Sequence, residues 1–147
     1  MTRVEKSIEI KASPEKLWPM MWWDGWTQWY APFKEGKVEY TSKEKNKVGT
    51  TVHVTAEVGG IKGDFDGENT EAIKNEKVGW RTTGGNFTGF GVNALSPTKA
   101  GTKVTVMMDY ELPYSFLGKI IDKLRFHKAL EKSYETGLNK LKDMMEK

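Results

Sequence analysis

The chain has 147 residues, of which 37% are hydrophobic and 29% are charged, and 23 Lys and Arg against 20 Asp and Glu leave a net charge of +3. This balance predicts one domain over residues 1–147, and it excludes a membrane-spanning helix because no apolar run approaches the roughly 20 residues that one needs. The cations are mostly Lys and alternate with acids. A nucleic-acid binder gathers its cations into a basic patch, so that class is excluded too.

The absence of cysteine excludes disulfides and thiol catalysis, and it removes the commonest soft ligand for zinc. We therefore expect no metal and no cofactor. The first six residues, Met1 to Lys6, lack the apolar core of a signal peptide, which predicts a cytoplasmic protein.

The first elements in chain order are a strand and two short helices. Apolar and polar residues alternate over Val4–Lys11, as in a strand with one buried face. Ser13 is a good N-cap and Pro14 suits a first helical position, so a short helix is predicted through Trp18. We expect Asp24 and Gly25 to end it, and a second short helix to follow over 26–30.

The middle of the chain predicts six further strands, because runs with a period of two are separated by turn residues. The predicted strands are Val38–Thr41, Gly49–Val58, Ile61–Ile73, Lys77–Thr83, Phe87–Leu95 and Lys103–Glu111. One buried and one wet face predict antiparallel pairing.

From Ser115 onward apolar residues recur at helical spacing, which predicts one long helix. The predicted stripe comprises Ile120, Leu124, Leu130, Tyr134, Leu138, Leu141 and Met145. This stripe needs an apolar partner, and the inner face of the sheet is the available one. The fold class is therefore α+β.

The order of elements resembles the helix-grip fold of the START-like or Bet v 1-like (SRPBCC) superfamily, and particularly its polyketide cyclase/dehydrase and lipid-transport branch. The residues that carry the resemblance are the opening strand running into 12–19, the paired tryptophans of 26–32, the Val78–Arg81 stretch and the closing helix. The resemblance implies a curved seven-stranded antiparallel sheet that grips the long helix and encloses a ligand cavity, with the two short helices closing one end.

Five of the six tryptophans, Trp18, Trp22, Trp23, Trp26 and Trp29, fall within twelve residues. Each buries a large apolar area, so the segment belongs to a core or a pocket. Trp18 is expected in the core. Because the helix is broken, Trp22 and Trp23 are predicted to diverge, with at least one at the surface or at the cavity mouth.

His127 lies on the apolar stripe of the long helix, where an imidazole could orient a ligand or transfer a proton. The alternative is a structural hydrogen bond to a neighbouring group. His53 is expected on the exposed face of its strand, and Asp64 and Asp66 on the solvent side. Residues 89–94 match a dinucleotide fingerprint by letter but lie within a strand, so these glycines instead bend the sheet or make room for a bulky neighbour.

The leading hypothesis is a noncatalytic carrier or sensor of a small hydrophobic, lipid-like or polyketide-like molecule held between sheet and helix. The residues predicted to bind it are Trp26, Trp29, Trp80, Phe90, Val92, Met108, Tyr110, Leu124 and His127. The chain is expected to be a monomer or a weak homodimer.

Two alternatives stay open. One is a cyclase or dehydratase in which His127 or Tyr110 moves a proton. The other is a protein or membrane adaptor that uses the exposed member of the Trp22/Trp23 pair, with peripheral membrane contact. A cavity below roughly 300 Å³ would favour the adaptor, because ligand pockets begin near that volume.

Overall fold

The computed structural model describes residues 1–112 and 120–147. Its helices are α1 (Pro14–Leu17), α2 (Trp23–Trp29), α3 (Ala31–Glu35) and α4 (Ile120–Met145), with a 3₁₀ segment at Trp18–Met21. Its strands are β1 (Thr2–Ile10), β2 (Lys37–Tyr40), β3 (Thr51–Val58), β4 (Ile61–Ile73), β5 (Lys77–Gly85), β6 (Thr88–Pro97) and β7 (Thr102–Glu111). The helix-grip prediction is confirmed. The predicted beginning of the last helix, at 115–119, lies outside the described residues, as does the Ile120 side chain.

The strands form one antiparallel sheet in the order β1-β7-β6-β5-β4-β3-β2. The first and last strands are neighbours over nine residue pairs, from Thr2 opposite Tyr110 to Ile10 opposite Thr102. On the outer face of this pair, Arg3 donates two hydrogen bonds to the carboxylate of Asp109, at 3.1 and 3.0 Å. The first and last strands of the sequence are therefore hydrogen-bonded neighbours in the sheet.

Strands β3 and β7 turn their apolar side chains toward α4. In β3 the buried residues are Val52, Val54 and Ala56, and in β7 they include Val104 and Val106. Burying these side chains removes apolar area from water at about 25 cal/mol per Å², which is the main force holding helix against sheet. The predicted inner faces of β3 and β7 are confirmed.

The segment after β1 differs in detail from the prediction. Ser13 caps α1 as expected, since its hydroxyl accepts a hydrogen bond from the Lys16 N–H at 3.2 Å. Asp24 and Gly25 do not end a helix but lie in the first turn of α2. A Cβ at position 25 would lie 2.0 Å from the Pro19 carbonyl oxygen, so this glycine serves the close approach of α2 to the preceding turn rather than a helix break.

The prediction that Trp22 or Trp23 is exposed is wrong, because they are only 4% and 2% exposed. Trp22 has an extended backbone at the start of α2, so the two rings diverge while both remain inside. Trp22 packs edge-on against Trp18, which is partly buried against the core. Trp23 stacks on Trp26 and meets Trp80 edge-on. Neither Trp22 nor Trp23 therefore provides the exposed side chain that the adaptor hypothesis requires.

Candidate ligand cavity

A cavity of about 60 Å³ lies between the inner face of the sheet and α4. Of the fourteen described residues that line it, eight are aromatic. The helical segment after β1 contributes Trp26, Tyr30 and Phe33.

The sheet side of the same wall is formed by Phe65, Trp80 and Phe87, and α4 adds Phe126 and Tyr134. Small or aliphatic side chains complete the wall, at Ala56, Val58, Ile61, Gly63, Met108 and Leu130. The lining contains no carboxylate and no cation, so among the described residues it offers only aromatic and aliphatic surface, two phenols, two indoles and one thioether.

Three of the nine predicted ligand-binding residues line this cavity: Trp26, Trp80 and Met108. Trp29 is buried behind the wall, where its indole N–H donates to the Met20 carbonyl at 2.9 Å. Tyr110 is also buried behind it, since its ring stacks on Phe87 and meets Phe126 edge-on.

Phe90 and Val92 do not face the cavity. Phe90 is 46% exposed, whereas the neighbouring positions Gly89, Gly91 and Asn93 are buried. The inner face of β6 thus carries small and polar residues, the reverse of the expected orientation. The physical reason is Trp80, whose indole occupies the space above β6: a Cβ at position 91 would lie 2.9 Å from its Nε1. The prediction that these glycines make room for a bulky neighbour is confirmed at Gly91.

Leu124 is 60% exposed, and Phe126 is buried in its place. At 3.6 residues per turn, position 124 lies about 120° around the helix from position 130, whereas position 126 lies about 40° from it. The predicted apolar stripe is therefore wrong at position 124, which lies on the exposed side of α4. Sequence reasoning missed Phe126 because Arg125 and Lys128 surround it, although Phe126, Leu130 and Tyr134 follow one another at four-residue intervals.

His127 makes a structural contact rather than lining the cavity. Its Nδ1 lies 2.9 Å from the Tyr110 Oη, and its Nε2 lies 3.4 Å from a carboxylate oxygen of Glu131. Burial, and then the charge of Glu131, raise the pKa of Tyr110, so its phenol stays protonated and is suited to donate to Nδ1. Lys6 extends this series of contacts, because its Nζ lies 3.3 Å from the other carboxylate oxygen of Glu131.

The second histidine lies on the outer face of the sheet. His53 bridges two carboxylates of β4, with Nδ1 2.7 Å from Asp66 and Nε2 2.8 Å from Asp64. All three side chains are substantially exposed, as predicted. Within residues 1–112 and 120–147, no group of three or more His, Asp or Glu has an arrangement that could hold a metal ion.

The family of this chain follows from comparison with known proteins. A family model described as polyketide cyclase / dehydrase and lipid transport matches residues 1–146. The chain belongs to this family. A relative in Streptomyces lincolnensis, an uncharacterized 17.2 kDa protein of the melC2-rnhH intergenic region, is 32% identical over 135 residues, which cover 90% of this chain and 83% of the relative.

Solved structures share the fold of this family member. TTHA0849 from Thermus thermophilus superposes with a TM-score of 0.78 at 22% identity, covering 98% of this chain and 97% of the other. The Zhui aromatase/cyclase from Streptomyces sp. R1128 gives 0.75 at 15% identity, with 99% and 93% covered. The Aha1 dimer from Colwellia psychrerythraea gives 0.64 at 22% identity, with 99% and 97% covered. None of the helices in the described ranges is long and apolar enough to cross a membrane.

Proposed function

We propose that this chain, acting as one domain over residues 1–147, reversibly binds a small hydrophobic molecule between its sheet and α4, as a carrier or sensor. The observation that supports this function is the aromatic-lined cavity, which lies where a helix-grip fold encloses its ligand. Membership of a family described by polyketide cyclisation, dehydration and lipid transport supports a hydrophobic ligand.

The volume of about 60 Å³ restricts the ligand. It is well below the roughly 300 Å³ at which ligand pockets begin, the value that was expected to favour an adaptor. Both tryptophans of the adaptor surface are buried, however, so the small volume is better explained by a closed form of the binding site. A one-ring or two-ring molecule then enters when partly buried wall residues such as Val58, Ile61 and Phe87 move aside.

The binding proposal is tested with natively purified protein. Organic extraction and mass spectrometry should recover a bound molecule, and a panel of one-ring and two-ring aromatics and fatty acids of ten and sixteen carbons should raise the thermal midpoint. Ala56→Leu adds three carbons to the cavity wall and should abolish the shift, whereas Ala94→Leu, on the outer side of β6, should preserve it. An empty extract together with no shift for the unmodified chain would overturn the proposal.

A second candidate, a cyclase or dehydratase, is favoured by the contacts of His127, which is hydrogen-bonded to Tyr110 through Nδ1 and has a carboxylate oxygen of Glu131 3.4 Å from Nε2. A histidine between a phenol and a carboxylate is suited to accept and return a proton. None of these three side chains lines the cavity, so this function is ranked second. If it operates, His127→Ala abolishes turnover of a poly-β-keto thioester while the far-UV and near-UV circular dichroism stay unchanged. Unchanged turnover removes His127 from the reaction.

A further inference from the structure

The cavity wall carries two buried hydrogen-bond donors without a partner. The indole Nε1 atoms of Trp26 and Trp80 are buried and have no acceptor among residues 1–112 and 120–147. Both residues are at least nine-tenths buried, both line the cavity, and their ring centroids are 6.1 Å apart. Buried polar groups in proteins are nearly always paired, so two adjacent exceptions in one wall require an explanation.

The neighbouring tryptophans show that the fold can provide acceptors for buried indoles. Trp23 donates its N–H to the side-chain oxygen of Asn69 at 3.1 Å, and Trp29 donates to the Met20 carbonyl at 2.9 Å. Neither of these two residues lines the cavity. The two unpaired donors thus belong to the two tryptophans that line the cavity.

A third donor in the wall is only weakly satisfied. The phenol of Tyr134 donates to the Met108 sulfur at 3.8 Å, and a thioether is a poor acceptor. Burial raises the pKa of Tyr134 well above its ordinary value, so this group remains a donor. The other phenol in the wall, Tyr30, is already paired with Ser133 at 2.9 Å.

The part of the wall formed by described residues therefore has an excess of donors and no charged group. A ligand that supplied further donors would leave them unpaired, and a carboxylate would lack a cation to compensate its burial. A neutral carbonyl or ether oxygen provides acceptor lone pairs at the smallest desolvation cost. A hydrocarbon would fill the same space but would leave both indoles unsatisfied.

We propose that the ligand is a neutral, largely apolar molecule bearing a ketone-type or ester-type oxygen, and that the indole N–H groups of Trp26 and Trp80 are its hydrogen-bond donors. This assignment rests on the proposed binding function and narrows its ligand to one chemical class. The oxygen orients the molecule, while the surrounding aromatic faces supply the contact area.

The test uses cyclohexanone and methylenecyclohexane, which have nearly the same shape but differ in the presence of an acceptor oxygen. With ¹⁵N-labelled protein, cyclohexanone should move the indole N–H resonance of Trp26, Trp80 or both downfield, while those of Trp23 and Trp29 stay in place. The ratio of ketone to olefin affinity should fall at least fivefold in Trp26→Phe or Trp80→Phe, and it should not change in Trp29→Phe.

The outcomes separate the two proposals. If both probes bind and the resonances of Trp26 and Trp80 do not move, the assignment of these donors is overturned while the binding function stands. If neither probe binds while a member of the aromatic and fatty-acid panel does, the assignment is overturned and the binding function stands. If the extract is empty and the panel gives no shift as well, the binding function fails and the assignment fails with it. Should the phenylalanine variants not fold, the resonance shifts of the unmodified chain decide alone.

Discussion

The Tyr110 Oη and the His127 Nδ1 lie 2.9 Å apart, and this contact joins the last strand in the sequence to the helix that packs across the sheet. Tyr110 belongs to β7 and His127 to the N-terminal half of α4. The two rings are also nearly parallel, at an interplanar angle of 22°. This pair therefore adds a polar contact to the apolar packing that holds α4 against the sheet.

Removing the phenol oxygen should weaken that connection without changing the packing. Tyr110→Phe keeps the ring against Phe87 and Phe126, so we expect a loss of about 1 kcal/mol in the free energy of unfolding, the usual net value of one hydrogen bond. Urea unfolding measures it. A double-mutant cycle with His127→Ala should give a coupling energy of similar size, and a coupling near zero would contradict the role of this contact.

Two leucines of α4 provide a matched pair for the cavity wall. Leu130 is 4% exposed and lines the cavity, whereas Leu124 is 60% exposed. We expect Leu130→Ala to lower the free energy of unfolding by about 2–5 kcal/mol, because it removes buried carbons and enlarges the cavity. Leu124→Ala should change it by less than about 0.5 kcal/mol. Equal effects would show that α4 has a different rotation against the sheet.

Gly91 is expected to resist any side chain. A Cβ there would lie 2.3 Å from the Met107 carbonyl oxygen and 2.9 Å from the Trp80 Nε1. Relieving these contacts would require the β7 backbone or the buried indole to move. Gly91→Ala should therefore cost about 1–3 kcal/mol of stability. Gly84→Ala is the control, since its nearest neighbour would be the Asp66 carboxylate at 3.5 Å. Thermal unfolding that ranked the two variants equally would refute the close packing of Trp80 on β6.

His53 should titrate above its ordinary pKa of 6.5, chiefly because Asp66 accepts its hydrogen bond and also because Asp64 is close. We expect Asp66→Asn to lower that pKa more than Asp64→Asn does. The pKa is raised on folding, so the stabilisation is fully present below about pH 6.5 and is lost as the pH rises through the folded value. An NMR titration of the imidazole measures it. A larger effect of Asp64→Asn would reverse the assignment of the dominant partner.

The sequence predicted the architecture because each strand and the long helix have a clear apolar period. In β3 and β7 the buried face is the one that the alternation of apolar and polar residues predicts, since Val and Met side chains there are buried against α4. The β6 face does not, because apolarity alone places Phe90 inside. Trp80, ten residues earlier in the chain, already fills the inner space above Gly91. The glycines of β6 indicated that a bulky neighbour packs there, but the alternation of apolar residues within β6 does not show that this neighbour displaces Phe90 to the outer face.

The tryptophan segment shows a second limit. Reading Gly25 as a helix breaker follows from its low helix propensity, yet the glycine lies inside α2 where Pro19 leaves no room for a Cβ. The turn at Trp22 then directs two adjacent rings to opposite sides of one core. Tertiary contact, rather than local propensity, decides both features. The unpaired indoles of Trp26 and Trp80 could not be predicted either, because pairing depends on atoms contributed by distant residues.

The pairing of β1 with β7 has a consequence for how this protein is made. About 90 residues separate the end of β1 from the start of β7, its neighbour in the sheet. A ribosome adding about 5 to 20 residues per second therefore releases β1 several seconds or more before its hydrogen-bonding partner exists. During that interval the N-terminal strand presents open backbone groups, which gives a chaperone a defined period in which to shield it.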